Sequence, residues 1–407
     1  MIERPRGTRD FDPEEMESRR KLEKLLREEA ESFGYREVLT PTFEHIDLFL
    51  ERSGPSIIEE IYSFEDKSGR ELALRPEFTA SVMRMYAESL RAEQKPLKLY
   101  YFGPDFRYER PQSGRYREFW HFGTELIGAD TARAEAETIA LAYNCIKKVG
   151  IDDVTMRISN LHILEEYLKN KGLSREDREE LYHMIDKEET GEVLDRFELG
   201  DEFVELLDAS FEEIPAYLED SRHHEYLEEV TKYLSFYGID DDDYEIDLRT
   251  VRGLDYYTGV VFEIDAEGLG AEKQICGGGD YDLGDIFGTE IPSKGFAIGF
   301  DRLHLAMEKE EKSFEEERDG CYVIPIGEEM ISHAHDVLST LRENGLRSDI
   351  DLKGRSIGKA LGYADKCDFK YSILIGEEEV ENKEVALKDM DSGEQKNVPR
   401  EELLGVI

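Results

Sequence analysis

The stretch 97–128 sets the strongest limit on what this chain can fold into. Residues 97–102 and 118–127 read as strands, and Pro111-Gln112-Ser113-Gly114 between them reads as a turn, so one long hairpin is expected. Arg107, Arg110, Arg115 and Arg117 lie on it, in a chain whose formal net charge is -43. Arginine presents a planar fork that grips phosphate or carboxylate through two bonds. The cluster has two readings: pairing with surface acids, each pair worth little, or a phosphate-binding hairpin. Phe106, Tyr108, Tyr116, Phe119 and Trp120 interleave with the arginines, which suits a base stacked between a ring and a guanidinium.

The acidity itself carries information. Asp and Glu number 95 against 52 Lys and Arg, and such a surface repels itself at low salt. At molar salt the Debye length falls to about 3 Å and the repulsion is screened. A halophilic protein of a salt-rich cytosol is therefore expected. A nucleic-acid partner must then be held by local arginines, stacking and shape, because high salt also weakens counterion release. No run has the length of a transmembrane helix, and the opening MIERPRGTRDF lacks the apolar core of a signal peptide. The expectation is a cytoplasmic chain with no membrane attachment. Cys145, Cys276, Cys321 and Cys367 are far apart with no CxxC pair, so they read as reduced structural thiols.

A length of 407 residues allows two or three domains. Asp12-Pro13-Glu14-Glu15 is a strong helix start, and Gly34 a stop. Short strands are expected at 35–39 and 72–74. The second leads into Arg75-Pro76-Glu77-Phe78-Thr79-Ala80, where Glu77 and Thr79 read either as a helix cap or as groups facing a ligand. A helix near 131–148 and a strand near 154–158 follow. Residues 161–237 show apolar positions at helical spacing and form a helical segment. After the acidic run 240–243 comes RGLDYYTG at 252–259, then a strand at 260–265. The glycines of QICGGG, 274–279, serve either a turn or a close approach to a ligand. Residues 295–303, GFAIGFDRL, read strand into helix. The charged stretch 308–319 has no apolar periodicity and is the clearest linker, placed at 311–319. Beyond it, 320–407 alternates strand and helix as a small α/β domain. That segment holds 18 acids against 11 Lys and Arg, so no basic footprint marks a nucleic-acid site.

There is no GxxxxGK[ST] loop and no GxSxG elbow, so any nucleotide must rest on arginines and a sheet. Here the residues meet a known pattern. FRYERPQSGRYREFWHFGTE, 106–125, resembles the second signature motif of class II aminoacyl-tRNA synthetases in the form seen in the histidyl-tRNA synthetases. RGTRDF at 6–11, RPEFTA at 75–80, RGLDYYTG at 252–259, GFAIGFDRL at 295–303 and the segment 341–366 resemble further parts of the same family, which together span nearly the whole chain. The resemblance implies an α/β architecture: a class II catalytic domain on an antiparallel sheet (1–160 and 238–310), a helical insertion (161–237) near the tRNA acceptor arm, and a C-terminal anticodon-binding domain (320–407). It implies a homodimer that activates L-histidine with ATP and Mg2+, releases pyrophosphate, and passes the histidyl group to the 3' end of tRNA(His).

By that resemblance Arg107 and Arg252 grip the α-phosphate and the substrate carboxylate from two sides. Glu109 and Arg115 hold the nucleotide, Phe119 stacks on adenine, and Arg302 covers the terminal phosphates. Glu77, Phe78, Thr79, His121, Glu125, Tyr256 and Tyr257 line the histidine pocket, Glu125 accepting a bond from the imidazole. Gln112 touches the acceptor end of tRNA, and no side chain is assigned to a metal. Bringing two anions together calls for cationic forks and magnesium more than for covalent chemistry, and a polar pocket rejects isosteres lacking its partners. Four positions depart from the family: Phe78 for glycine, His121 for glutamine, Asp280 for arginine and Asp301 for the commoner glutamate. A neutral imidazole has one donor and one acceptor where an amide has two donors and an acceptor, so activity with an altered histidine affinity is expected. Two alternatives are a histidine-sensing regulatory paralogue of the ATP phosphoribosyltransferase and a class II synthetase for another amino acid. Both fit the 252–257 motif poorly, and the first typically lacks the C-terminal domain.

Overall fold

A computed structural model of the chain describes residues 2–50, 60–110, 114–186, 190–251, 256–284, 288, 291–314 and 318–407. Arg252 and Gln112, both singled out from the sequence, lie outside the described residues, as do 315–317 of the linker. The chain forms two compact units, Met1–Ser313 and Phe314–Ile407.

The first unit opens with the helix Pro13–Ser32, whose cap is as read: the Asp12 carboxylate accepts from the Glu15 N–H at 2.9 Å. Its strands are β1 (Arg36–Glu37), β2 (Phe43–His45), β3 (Ser63–Glu65), β4 (Glu71–Leu74), β5 (Leu97–Phe106), β6 (Glu118–Ile127), β7 (Val154–Asn160), β8 (Glu245–Ile246), β9 (Tyr257–Ala266), β10 (Gln274–Tyr281) and β11 (Ser293–Gly299). Among the described residues, eight of these form one sheet in the order β1-β5-β6-β11-β10-β9-β7-β8. Every pairing from β5 across to β7 is antiparallel, while β1 and β8 are two-residue parallel edges. A separate three-stranded sheet, β2-β4-β3, hands the chain to the short helix Thr79–Met85.

The hairpin is longer than the sequence suggests. β5 runs to Phe106 and pairs residue by residue with β6, from Leu97 opposite Ile127 to Phe106 opposite Glu118. Gly103 and Pro104 read as breakers, yet the Pro104 carbonyl accepts from the Arg75 guanidinium at 2.9 Å. Behind the sheet the helix Ala132–Lys148 starts at Thr131, whose hydroxyl accepts from the Ala134 N–H, and it buries Ile139, Leu141, Ala142 and Ile146. Helices Leu161–Asn170, Arg175–Asp186, Thr190–Phe197, Asp201–Asp208 and Arg222–Ser235 occupy the segment after β7, and Tyr226 of the last donates to Glu135. The helix Phe300–Lys309 takes in the first residues of the charged stretch at 308–319.

The second unit is a five-stranded sheet, with strands β12 (Cys321–Pro325), β13 (Ser348–Ile350), β14 (Tyr371–Ile375), β15 (Glu384–Asp389) and β16 (Gln395–Pro399) in the order β13-β12-β14-β15-β16. Its first three strands are parallel to one another, and β15 and β16 extend it antiparallel. Cys321 and Val323 face the helix Ile331–Glu343, while Tyr322 and Ile324 face the helix Ile357–Lys366. Helices on both faces explain why CYVI is apolar without alternation.

Candidate active site

The alternation of β6 places Phe119, His121, Gly123 and Glu125 on one face. Across the hairpin Tyr101 stands opposite Gly123. A Cβ at 123 would lie 2.4 Å from the Tyr101 Oη, so only glycine lets that ring lie over β6. The Tyr101 hydroxyl then donates to Glu125 Oε1 at 3.3 Å, and Tyr281 from β10 donates to Oε2 at 2.7 Å. Glu125 is buried, and desolvation pushes its pKa up to about 8 despite the bonds from Tyr281, Thr79 and Tyr101. Glu77 is buried beside it and is pushed up to about 7, again chiefly by burial. Its carboxylate accepts from the Ala80 N–H at 3.0 Å. Glu77 thus caps the helix it precedes, and its charge also raises the pKa of Glu125.

Phe78 is packed where the family pattern has glycine. Its backbone is helical, with φ -92 and ψ -30, which any residue adopts. The buried ring stacks on Tyr101 at 4.3 Å and carries the Arg75 guanidinium 3.7 Å above it. Tyr256, buried, meets Tyr281 edge-on at 5.9 Å and Tyr257 at 5.0 Å. These aromatic groups and Thr79 bring Glu77, Phe78, Glu125, Tyr256 and Tyr257 to one place. His121 lies further along the same face of β6, its Nδ1 2.7 Å from Asp105 Oδ2.

The arginines divide by partner. Arg107 Nε donates to the Pro76 carbonyl at 3.0 Å, with its guanidinium 5.4 Å from the Phe119 ring centroid. Arg115 pairs with Glu109 at 3.3 Å. Arg117 instead bonds the Glu109 carbonyl and stacks on Tyr108 at 3.7 Å, which holds the hairpin in shape. Arg302 Nη1 donates to the Gln274 carbonyl at 2.8 Å and Nε to that of Gly114 at 3.3 Å, so it ties β10 to the end of the hairpin turn.

Three features were not read from the sequence. Asp301 Oδ1 accepts from Arg9 at 2.6 Å and Arg19 at 2.7 Å, and Oδ2 from the Trp120 N–H at 2.8 Å. The arm RGTRDF is therefore fastened to the helix at 300–309 and to β6, and Arg9 also stacks on Tyr116 at 3.9 Å. Asp280, where the family carries arginine, accepts from the buried Lys294 at 2.8 Å, and Lys294 also pairs with Glu135. Burial and the nearby Asp280 raise the pKa of Glu135 well above the carboxylate range. Asp105 is the third. The period-two pattern of β5, which puts it on the face of Tyr101, could have found it.

An antiparallel sheet that carries an arginine beside an aromatic ring, in a sequence with no phosphate loop, is the architecture of the class II aminoacyl-tRNA synthetases. Residues 7–303 match the family model of the histidyl-tRNA synthetases and residues 320–407 that of the anticodon-binding domain. The chain is 44% identical over 419 residues to a histidine–tRNA ligase of Archaeoglobus fulgidus, covering 100% of this chain and 99% of that one. It is 44% identical over 407 residues to that of Methanosphaerula palustris, covering 97% and 96%. Among solved structures, apo histidyl-tRNA synthetase of S. aureus superposes with a TM-score of 0.76 at 30% identity, covering 100% of this chain and 99% of the other. The chain belongs to the histidyl-tRNA synthetase family.

Proposed function

We propose that this chain activates histidine with ATP and transfers it to the 3' end of tRNA(His). The observation that carries the reading is the buried Glu125, held by two tyrosine hydroxyls on the sheet face that also bears Phe119 and the Arg107 guanidinium. A carboxyl so placed has acceptor capacity left for an imidazole N–H. Arg107 and Arg252 take the α-phosphate and the substrate carboxylate, Phe119 stacks on adenine, and Glu109, Arg115 and Arg302 hold the rest of the nucleotide. Glu77, Phe78, Thr79, His121, Tyr256 and Tyr257 complete the amino-acid pocket. Arg107 suits ATP in this role because its guanidinium sits beside an aromatic ring, and Mg2+ enters with the phosphates and water. The acyl group then moves to tRNA, with Gln112 near its acceptor end. The helices of 161–237 lie along the acceptor arm, and residues 320–407 take the anticodon.

A homodimer is supported by Leu39, Phe43 and Phe64, all exposed, with Phe43 and Phe64 in edge contact at 6.1 Å. The -43 charge supports a cytoplasm rich in salt, and among the described residues no helix is long and apolar enough to cross a membrane. The deciding assay is ATP–pyrophosphate exchange in molar KCl with each amino acid in turn, beside Arg107→Ala and Arg252→Ala. Exchange with histidine alone, abolished in both variants, is the expected result. A folded chain that binds histidine without exchange refutes the ligase reading in favour of a regulatory sensor.

A further inference from the structure

His121 and Asp105 form a unit whose chemistry differs from that of an amide at the same place. Asp105 is fully buried, with Oδ2 2.7 Å from His121 Nδ1 and Oδ1 3.2 Å from Arg75 Nε. Arg75 is itself immobilised. Its Nη1 donates to the carbonyls of Thr40 and Pro41, its Nη2 to that of Pro104, and its plane lies on Phe78. Room for this comes from Gly103, the residue opposite His121, where a Cβ would lie 2.9 Å from Arg75 Nη2. The anchored guanidinium fixes the carboxylate, and the carboxylate fixes the ring. A nitrogen facing a carboxylate carries the proton, and in a neutral imidazole the other nitrogen is then an acceptor. Phe119, edge-on at 4.9 Å, holds the ring from the other side.

From this we infer that Asp105 is a positioning residue for the amino-acid substrate. It keeps the His121 proton on Nδ1, so that Nε2 presents a lone pair to the α-ammonium group of the bound histidine. The inference rests on the proposed histidine pocket. An ammonium has donors only, so one tautomer of His121 accepts from it and the other opposes it. Asp105→Asn reverses the arrangement. The new amide has a single acceptor oxygen, which Arg75 Nε claims, and its NH2 group then faces Nδ1. The ring must accept there and carry its proton on Nε2.

Histidine binding measured by calorimetry on the full chain in molar KCl is expected to weaken about 10- to 100-fold in Asp105→Asn, the scale of one lost charge-assisted bond. Binding of 3-(imidazol-4-yl)propionate, which lacks the amino group, and of ATP should stay within about twofold by the same arithmetic. His121→Gln supplies a rotatable carbonyl acceptor that needs no tautomer fixed. Adding Asp105→Asn to that variant should therefore cost no further affinity, and an equal loss in both backgrounds refutes the inference. The 15N spectrum of the wild-type imidazoles, with His121 assigned by its absence in His121→Gln, tests the tautomer even where Asp105→Asn fails to fold. A lone-pair Nε2 is expected, and a protonated Nε2 overturns the inference. Failure of the pocket reading is seen separately, as wild-type protein that binds no histidine while keeping the lone-pair Nε2.

Discussion

Glu125→Gln should change how stability depends on pH. In the folded chain the Glu125 carboxyl is buried under two tyrosine hydroxyls, with its pKa raised from 4.5 to about 8. In the unfolded chain it returns to the ordinary range. Between those limits the folded form keeps a proton that the unfolded form gives up, so rising pH favours unfolding. The contribution is fully present below about 4.5 and is lost as pH passes through about 8. At about 1.4 kcal/mol per pH unit the interval corresponds to a ceiling of roughly 5 kcal/mol. Glutamine has nearly the same shape and still offers Tyr281 an oxygen, but it does not titrate. At pH 5 the variant and wild type should melt within about 1 kcal/mol of each other. By pH 9 the variant should be more stable by about 3–5 kcal/mol, equivalent to roughly 5–8 °C for a unit of this size. Glu77 titrates in the same direction and is coupled to Glu125, so the difference between the two curves reports Glu125 together with that coupling. Denaturant unfolding in molar KCl from pH 5 to pH 9 measures it. Parallel curves would show that the carboxyl is ionised in the folded state, and the account of its burial would be wrong.

Two further substitutions probe the frame around the pocket. Gly123→Ala places a Cβ where the Tyr101 hydroxyl now lies, 2.4 Å away. It should cost about 1–3 kcal/mol by overpacking and abolish histidine-dependent exchange; a variant with wild-type stability and exchange would show that Tyr101 need not cross β6. Asp301→Asn removes the charge shared by Arg9 and the buried Arg19. A loss of about 3–5 kcal/mol in denaturant unfolding is expected, with faster proteolysis in the first nine residues, and a change under about 0.5 kcal/mol would mean the pairs are incidental.

Local signals carried much of the fold. The Asp12 cap, the hairpin strands and the helix after Thr131 stand within a few residues of where propensity and periodicity put them. Misread positions were those where tertiary partners outweigh local preference. β5 continues through Gly103 and Pro104 because Arg75 fills the space beside them and bonds the proline carbonyl. The segment at 35–39 forms only a two-residue edge, since its neighbour is a strand about sixty residues away that no local pattern announces. At the site, the motif residues were legible as motifs, while their division of labour was not. Nothing in a string of letters separates Arg117, which braces a backbone carbonyl, from Arg107 beside Phe119. Lys294 could not be matched to Asp280 before β10 and β11 were known to pair.

The fastening of Arg9 to Asp301 has a consequence in time. The two residues are 292 positions apart in sequence. A ribosome adding about 5–20 residues per second needs roughly 15–60 s to travel from one to the other. Throughout that interval Arg9 and Arg19 lack the carboxylate that later pairs with both, and β11, the interior strand that joins β6 to β10, is the last of the sheet to be made. The first segment to leave the ribosome is thus among the last to be secured, and the nascent chain spends most of its synthesis with two arginines short of the partner they share.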